Sequence, residues 1–243
     1  MKIILPMAGN GSRFFEAGYD KLKPLIDING KSMIEWSLKN ISNLNYSELI
    51  FIILKEHDVN FELSKKLLSF NMPKTRILMI NDVTQGQLQT VLSAKESIQT
   101  EEDILISPTD TYVTSNLKHS IENRDSNCAG IISVINKEGN QWSFAKIDRF
   151  NKVTEVAEKQ RISSLASTGI YYFSNGYQFV TESEKIITLG EKTQGEFYVI
   201  PVYQKLINNG YIIDIDKAKE MWDLGTPESI SLFKRHLSSI KKT

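Results

Sequence analysis

The chain has 243 residues, enough to bury the core of one α/β domain with or without an extension. Acidic and basic residues balance at 29 each, so no global positive field exists to hold nucleic acid, and no apolar run is long enough to cross a bilayer. The short apolar start runs straight into glycines and is not expected to be a signal peptide; with one cysteine, Cys128, no internal disulfide can form, and both features point to a reducing cytoplasm.

The first predicted element is Lys2-Ile3-Ile4-Leu5-Pro6-Met7, short, apolar and β-branched, as in a strand buried on both faces. A loop follows directly: Ala8-Gly9-Asn10-Gly11-Ser12-Arg13. Without Cβ atoms, Gly9 and Gly11 let the backbone turn sharply and bring its N–H groups close to an anion. Arg13 adds a planar fork suited to phosphate oxygens, and Lys23 a compact point charge. Pro24 disfavours helix at Lys23 and predicts extended backbone there. Strand, loop and two cations describe a place to hold a polyphosphate. The Walker A pattern is absent, and the dinucleotide fingerprint fails because its third glycine would fall at Phe14.

A helix is predicted over 31–38, where Met33, Ile34, Trp36, Leu38 and Ile41 make an apolar face. Residues 49–54 form a continuous apolar strand, 61–68 a helix, 76–80 a third strand, and 86–97 a loop leading into a helix. A fourth strand, 103–106, ends at Pro108-Thr109-Asp110. Strands alternating with helices imply right-handed βαβ units and a mostly parallel sheet. Ligands of such sheets bind beyond the carboxyl ends of the strands, which brings 9–13 and Asp110 to one crevice.

The character changes after Asn127. Short strands are predicted at 129–135, 144–147, 152–156 and 167–173, an antiparallel or mixed extension covering the first half. A helix is predicted over 196–208, ended by Asn209-Gly210, then a strand at 212–215. A last helix has Thr226 at its N-cap, Pro227 at N1 and Glu228 in its first turn. The basic residues are scattered apart from Lys241-Lys242. Together this is one domain, 1–243, in two functional halves, 1–126 and 127–243.

Several residues carry two local readings. Asp110 is a metal ligand at a strand end or a turn residue. Asp223, in Trp222-Asp223-Leu224-Gly225-Thr226, is a second ligand or a helix-start residue. Glu158-Lys159 reads locally as a solvated pair. Gln85-Gly86-Gln87 reads locally as a surface turn whose Gln side chains can bond a base edge, and Glu196 as a helix start. Asp214-Ile215-Asp216 has the D-x-D spacing of a metal motif. His57, His119 and His236 lack metal-ligand spacing and are expected at the surface, while Cys128, before Ala129-Gly130-Ile131-Ile132, is expected in the core.

Gly9-x-Gly11-Ser12-Arg13 with Lys23-Pro24, followed in order by Asp110, Glu158-Lys159 and Trp222-Asp223, resembles the sugar-phosphate nucleotidyltransferases, or nucleoside-diphosphate-sugar pyrophosphorylases. It is most similar to short bacterial forms that lack a C-terminal left-handed β-helix and are encoded with surface-carbohydrate genes. The chain departs from the family pattern in having Pro6-Met7-Ala8-Gly9 for Ala-Gly-Gly, Thr109 for the Gly before Asp110, and Gln160 for the Pro after Lys159.

The resemblance implies a Rossmann-like, GT-A-like α/β three-layer sandwich, with a mostly parallel mixed sheet and a small antiparallel acceptor-side extension. It implies transfer of NMP from an NTP to a phosphorylated small-molecule acceptor, foremost a sugar 1-phosphate. A cytidylyltransferase acting on an amino alcohol or amino acid phosphate is the second reading. A nucleotide-sugar-dependent glycosyltransferase is the reading from another class. Met7, Ala8, Gly9, Asn10, Gly11, Ser12, Arg13, Gln85 and Gly86 would hold the nucleotide, with Arg13 and Lys23 catalytic. Glu158, Lys159, Thr168, Gly169 and Glu196 would bind the acceptor, and Asp110 and Asp223 would hold Mg²⁺. Neither nucleic acid nor membrane is an expected partner, and monomer and homodimer both remain open.

Overall fold

In the computed structural model, which describes residues 1–240 and so leaves Lys241-Lys242 outside, the first half runs β1 (Lys2–Met7), α1 (Ser12–Glu16), β2 (Asp27–Ile28), β3 (Lys31–Ser32), α2 (Met33–Leu38), β4 (Glu48–Leu54), α3 (Lys55–Phe61), α4 (Leu63–Leu68), β5 (Thr75–Ile80), α5 (Gln87–Leu92), α6 (Lys95–Ile98), β6 (Ile104–Ile106), β7 (Thr111–Thr114) and α7 (Leu117–Glu122). The second runs β8 (Cys128–Asn136), β9 (Ser143–Ile147), β10 (Val153–Glu158), β11 (Leu165–Phe173), α8 (Gly176–Thr188), α9 (Pro201–Asn208), β12 (Ile212–Lys217), β13 (Glu220–Asp223) and α10 (Pro227–Ile240).

β5, β4, β1 and β6 lie side by side and parallel. Their residues alternate between two cores. Ile4, Ile50, Ile52, Ile104 and Ile106 join Leu88, Phe179 and Tyr203 on one face, while Ile3, Leu5, Leu49, Phe51, Ile53 and Leu105 join Ile34, Leu63 and Leu67 on the other. Burial on both faces is why these strands are apolar without alternation. It also makes the expected three layers, helix on sheet on helix.

The second half does not form a separate cover. It continues the same sheet, because Tyr171–Phe173 of β11 pairs antiparallel with β6 and gives that edge its hydrogen-bond partners. β8 pairs with β11, and β12 runs parallel to β8. β11 then changes neighbours: Ala166 pairs with Phe144 of β9, and the register shifts between Ser167 and Tyr171. The sheet therefore forks where β6 ends, and Gly169 sits in the fork with a positive φ of 84° against the Pro108 ring.

Several predicted boundaries move. The helix of 31–38 starts at Met33, because Ser32 and Glu35 close a capping box. The helix of 61–68 is interrupted at Glu62, whose φ of 49° separates α3 from α4. The helix of 196–208 starts only at Pro201, at its first turn, whereas Glu196 pairs across a bridge with Thr193. α8 was not among the predicted elements. Lys23 is not extended: Lys23–Leu25 forms one 3₁₀ turn and the extended residue is Leu22, at ψ 135°. His57 is buried with an unpartnered Nδ1, not at the surface. Cys128 is buried as expected, and burial followed by the Asp214 charge pushes its thiol up to about 11.

β7 and β13 form a two-stranded antiparallel sheet outside the main one, with Thr111 opposite Asp223. Buried Asn40 fastens it: its Nδ2 donates to the Thr111 carbonyl and its Oδ1 accepts from the Val113 N–H, both at 2.8 Å. Asn40→Ala leaves both main-chain groups buried without a partner, so it should lower stability by about 2–3 kcal/mol. Urea denaturation checks this; a wild-type midpoint would show that the clamp carries no stability.

Candidate active site

The glycine loop leaves β1 with Met7 and Ala8 both buried, so those two can offer a ligand only backbone. Gly9 and Asn10 are exposed, and a Cβ on Gly9 would meet no protein atom within 4 Å, so the surface over this backbone is open. Gly11 turns the chain with φ 63°, and a Cβ there would stand 3.1 Å from Lys23 Cβ. Glycine thus serves the turn and the close approach of Lys23 at once. Ser12 and Arg13 open α1 and are exposed.

Lys23 Nζ donates to Asp110 Oδ2 at 2.5 Å, with side chains 25% and 33% accessible. Burial opposes the charge on Asp110, but the charge and hydrogen bond of Lys23 outweigh it and hold the carboxyl below its ordinary range. Asp223 reaches the same place from 113 residues away, through the β7–β13 pair and the bond from the Leu224 N–H to the Asp110 carbonyl at 2.8 Å. Burial, then the Asp110 charge, push Asp223 above its ordinary range, and the Gly225 N–H at 2.9 Å is its hydrogen-bond donor. A Cβ on Gly225 would lie 2.8 Å from Asp223 Oδ1 and 3.8 Å from Asp110 Oδ2, so the two carboxylates flank one small space. Among the described residues no group of three or more His, Cys, Asp or Glu is placed to hold a metal ion, so any ion here would have these two carboxylates as its side-chain ligands.

The opposite wall belongs to the second half. Ser143 Oγ donates to Glu158 Oε2, Tyr171 Oη donates to Ser143 Oγ at 3.3 Å, and burial raises the Glu158 carboxyl. Lys159 has a positive φ of 54°; its N–H donates to the Trp142 carbonyl at 2.9 Å and its Nζ donates to Tyr198 Oη at 2.5 Å. Tyr198 Oη in turn donates to Glu196 Oε2 at 2.7 Å. Burial and then the carboxylates Glu196 and Glu158 push the Tyr198 phenol up, with Arg13 acting the other way, so the glycine-loop arginine lies within electrostatic reach of this wall. Gln85 and Gly86 abut the same segment. The Phe197 N–H donates to the Gln85 carbonyl at 2.8 Å, and a Cβ on Gly86, whose φ is 130°, would strike the Phe197 carbonyl at 2.4 Å. Thr168 is 1% exposed and its hydroxyl has no partner.

The structure thus gathers Gly11, Lys23, Asp110 and Asp223 at one wall and Glu158, Lys159 and Glu196 at the other. It does not use Asp214-Ile215-Asp216 as a metal motif: Asp214 pairs with Lys152 at 2.6 Å, and buried Asp216 accepts from Ser120 and Ser133. Sequence reading missed Tyr198 and Ser143. Only Tyr198 had a local signal, its place beside Glu196-Phe197. A cleft of about 610 Å³ lies on the far side of the Lys23 turn, lined by Lys21, Leu25, Phe61 and Lys65, and shares none of these residues.

Residues 1–239 match the family described as Nucleotidyl transferase. The bifunctional protein GlmU of Methanococcus maripaludis is 25% identical over 247 residues, covering 99% of this chain and 55% of that protein, so the chain spans about half the length of this curated relative. A crystal structure of the nucleoside-diphosphate-sugar pyrophosphorylase from Vibrio cholerae superposes with a TM-score of 0.82 at 27% identity, over 96% of this chain and 99% of that one. The inositol-1-phosphate CTP transferase from T. maritima has a TM-score of 0.75 at 14% identity, over 99% and 96%, and shares the fold. With the whole sheet, the glycine loop and the paired carboxylates accounted for, the chain belongs to the nucleotidyl transferase family.

Proposed function

We propose that the chain transfers NMP from an NTP to a sugar 1-phosphate, releasing pyrophosphate, in the cytoplasm and in the service of surface polysaccharide synthesis. The observation that carries this reading is the placement of Lys23 between the glycine loop and the Asp110–Asp223 pair. The acceptor phosphate oxygen attacks the α-phosphorus, a new P–O bond forms, and the bond to the leaving pyrophosphate breaks. The nucleophile is already an anion, so no general base is needed. The protein must align two polyanions and offset their repulsion. Arg13 holds the β- and γ-phosphates, Lys23 meets the α-phosphate, and Lys159 faces the acceptor phosphate. Asp110 and Asp223, hard oxygen donors flanking one space, fit Mg²⁺, which takes one or two carboxylates plus substrate oxygens and when bound neutralises phosphate charge.

A CTP-dependent enzyme for an amino alcohol phosphate is the second reading. It is favoured by the acceptor wall itself, where Glu158 and Glu196 outnumber Lys159 and would suit an ammonium group. The glycosyltransferase reading loses its support, because Asp214 and Asp216 are engaged in the fold. The deciding experiment screens CTP, UTP, GTP and dTTP against phosphorylated acceptors, read by pyrophosphate release and mass spectrometry. No nucleotide-linked product from any pair would refute the reading.

Asp110→Asn and Asp223→Asn should each lower turnover by about a hundredfold or more with circular dichroism unchanged, and EDTA should abolish activity that Mg²⁺ restores. Full turnover in either variant removes that residue from the site. Arg13→Ala should weaken NTP binding and Lys159→Ala should raise the acceptor KM, each by about ten- to a hundredfold for the loss of one charged bond worth about 1.5–3 kcal/mol. An NTP-only defect in Lys159→Ala would misplace the acceptor wall. Lys23→Met keeps volume and removes charge; kcat should fall about a hundredfold with NTP binding retained, since the interaction strengthens as charge moves to pyrophosphate. Single-turnover rates near wild type would make Lys23 a structural charge only.

A further inference from the structure

Residues 196–198 tie Lys159 to the segment Gln85–Leu88. Thr193 and Glu196 exchange both backbone hydrogen bonds, at 3.0 and 3.1 Å, which fixes the start of the piece. Phe197, buried, is then held at both of its main-chain groups. Its N–H donates to the Gln85 carbonyl at 2.8 Å, and its carbonyl accepts from the Leu88 N–H at 3.0 Å. The approach leaves no room for a side chain at Gly86, where a Cβ would stand 2.4 Å from the Phe197 carbonyl oxygen. The next residue, Tyr198, therefore starts from a fixed backbone.

Tyr198 stands between a cation and a carboxylate. Its phenol oxygen accepts from Lys159 Nζ at 2.5 Å and donates to Glu196 Oε2 at 2.7 Å. Among the described residues this is the one hydrogen bond of Lys159 Nζ, which also lies 4.8 Å from the centroid of the same ring. The Lys159 backbone is already set, with φ 54° and its N–H on the Trp142 carbonyl, so the side chain is the part left to order. A lysine stem has several rotatable bonds, and ordering it before a ligand arrives removes that entropy from the cost of binding. A direct pair with Glu196 would order it too but would offset its charge. The phenol orders it and keeps that carboxylate one hydrogen bond further away. An ammonium has three N–H donors, of which the phenol takes one.

We propose that Tyr198 is a positioning residue, whose phenol holds the Lys159 ammonium in place for the acceptor's phosphate from a backbone anchored on Gln85–Leu88. This rests on the acceptor wall of the proposed function. Tyr198 brings no charge of its own, so its effect on phosphate binding passes through Lys159.

The test is a double-mutant cycle on the binding of inorganic phosphate, with Mg²⁺ present, read by calorimetry in wild type, Tyr198→Phe, Lys159→Met and the double variant. Tyr198→Phe keeps the ring and removes the hydrogen-bond acceptor, and phosphate binding should weaken about fivefold or more. Lys159→Met should weaken it about tenfold or more, and adding Tyr198→Phe to it should change affinity by less than about twofold, since no ammonium is left to position. A second readout is the ¹⁵N ammonium resonance of Lys159, identified by its loss in Lys159→Met. It should be visible in wild type and should shift or vanish in Tyr198→Phe, whereas a ring that only fills space would leave it unchanged. Wild-type phosphate affinity in Tyr198→Phe, a loss that persists in full on the Lys159→Met background, a Lys159 resonance missing from wild type or unaltered by the substitution, or no measurable phosphate binding by wild type overturns the proposal. No nucleotide is transferred in these measurements. A chain that shows the coupling yet yields no product in the nucleotide screen refutes the proposed function alone, and product without the coupling refutes the role of Tyr198 alone.

Discussion

Two carboxylates are held in each other's field. Asp110 and Asp223 repel, and each is partly removed from water, so the arrangement is unfavourable unless cations stand beside it. Lys23 relieves Asp110 directly. Asp223 has only a backbone N–H and the more distant fields of Lys23 and Lys137, and it remains above its ordinary range. The space between them is thus short of positive charge on one side, and a bound cation there would lower the energy of the protein itself.

The fold spends several otherwise unnecessary features on that arrangement. β7 and β13 add nothing to the main sheet, but their pairing places Asp223 opposite Thr111, next to Asp110. Asn40 fixes β7 from α2's side, and the Lys219 N–H donates to the Thr114 carbonyl at 2.8 Å at the other end. Beneath the pair lies a third core, in which Phe14, Ile26, Met33, Trp36, Leu224 and Phe233 bring the glycine-loop helix, α2 and α10 together. The Trp36 and Phe233 rings meet edge-to-face at 4.9 Å, and Trp222 packs on Phe233 at 5.2 Å. The last helix is therefore part of the floor of the site.

The parallel half was legible because its strands are buried on both faces, which writes a continuous apolar run into 49–54 and 2–7. The glycine loop was legible for a related reason: a glycine at close backbone approach, as at Gly11, has no substitute. The second half was harder. α8 has a polar face and no proline or capping box to announce it; only Asn175, accepting the Gln178 N–H, marks its start. Lys23 escaped its expected extended backbone because Pro24 sits inside the first 3₁₀ turn, where a missing N–H costs nothing.

The charge balance of the whole chain hides a local imbalance. Lys95, Lys152, Arg161 and Lys205 are each met by carboxylates at the surface. Among the described residues Arg13 and Lys159 form no ion pair with a carboxylate, although the Lys159 charge reaches Glu158. Lys159 is instead held by a neutral phenol, in a left-handed conformation that costs the backbone energy. Such spacing keeps the cations from being neutralised by their own protein. A net charge of zero is then compatible with a local field for a polyanion at one place, which is what the proposed transfer between two phosphorylated substrates would require.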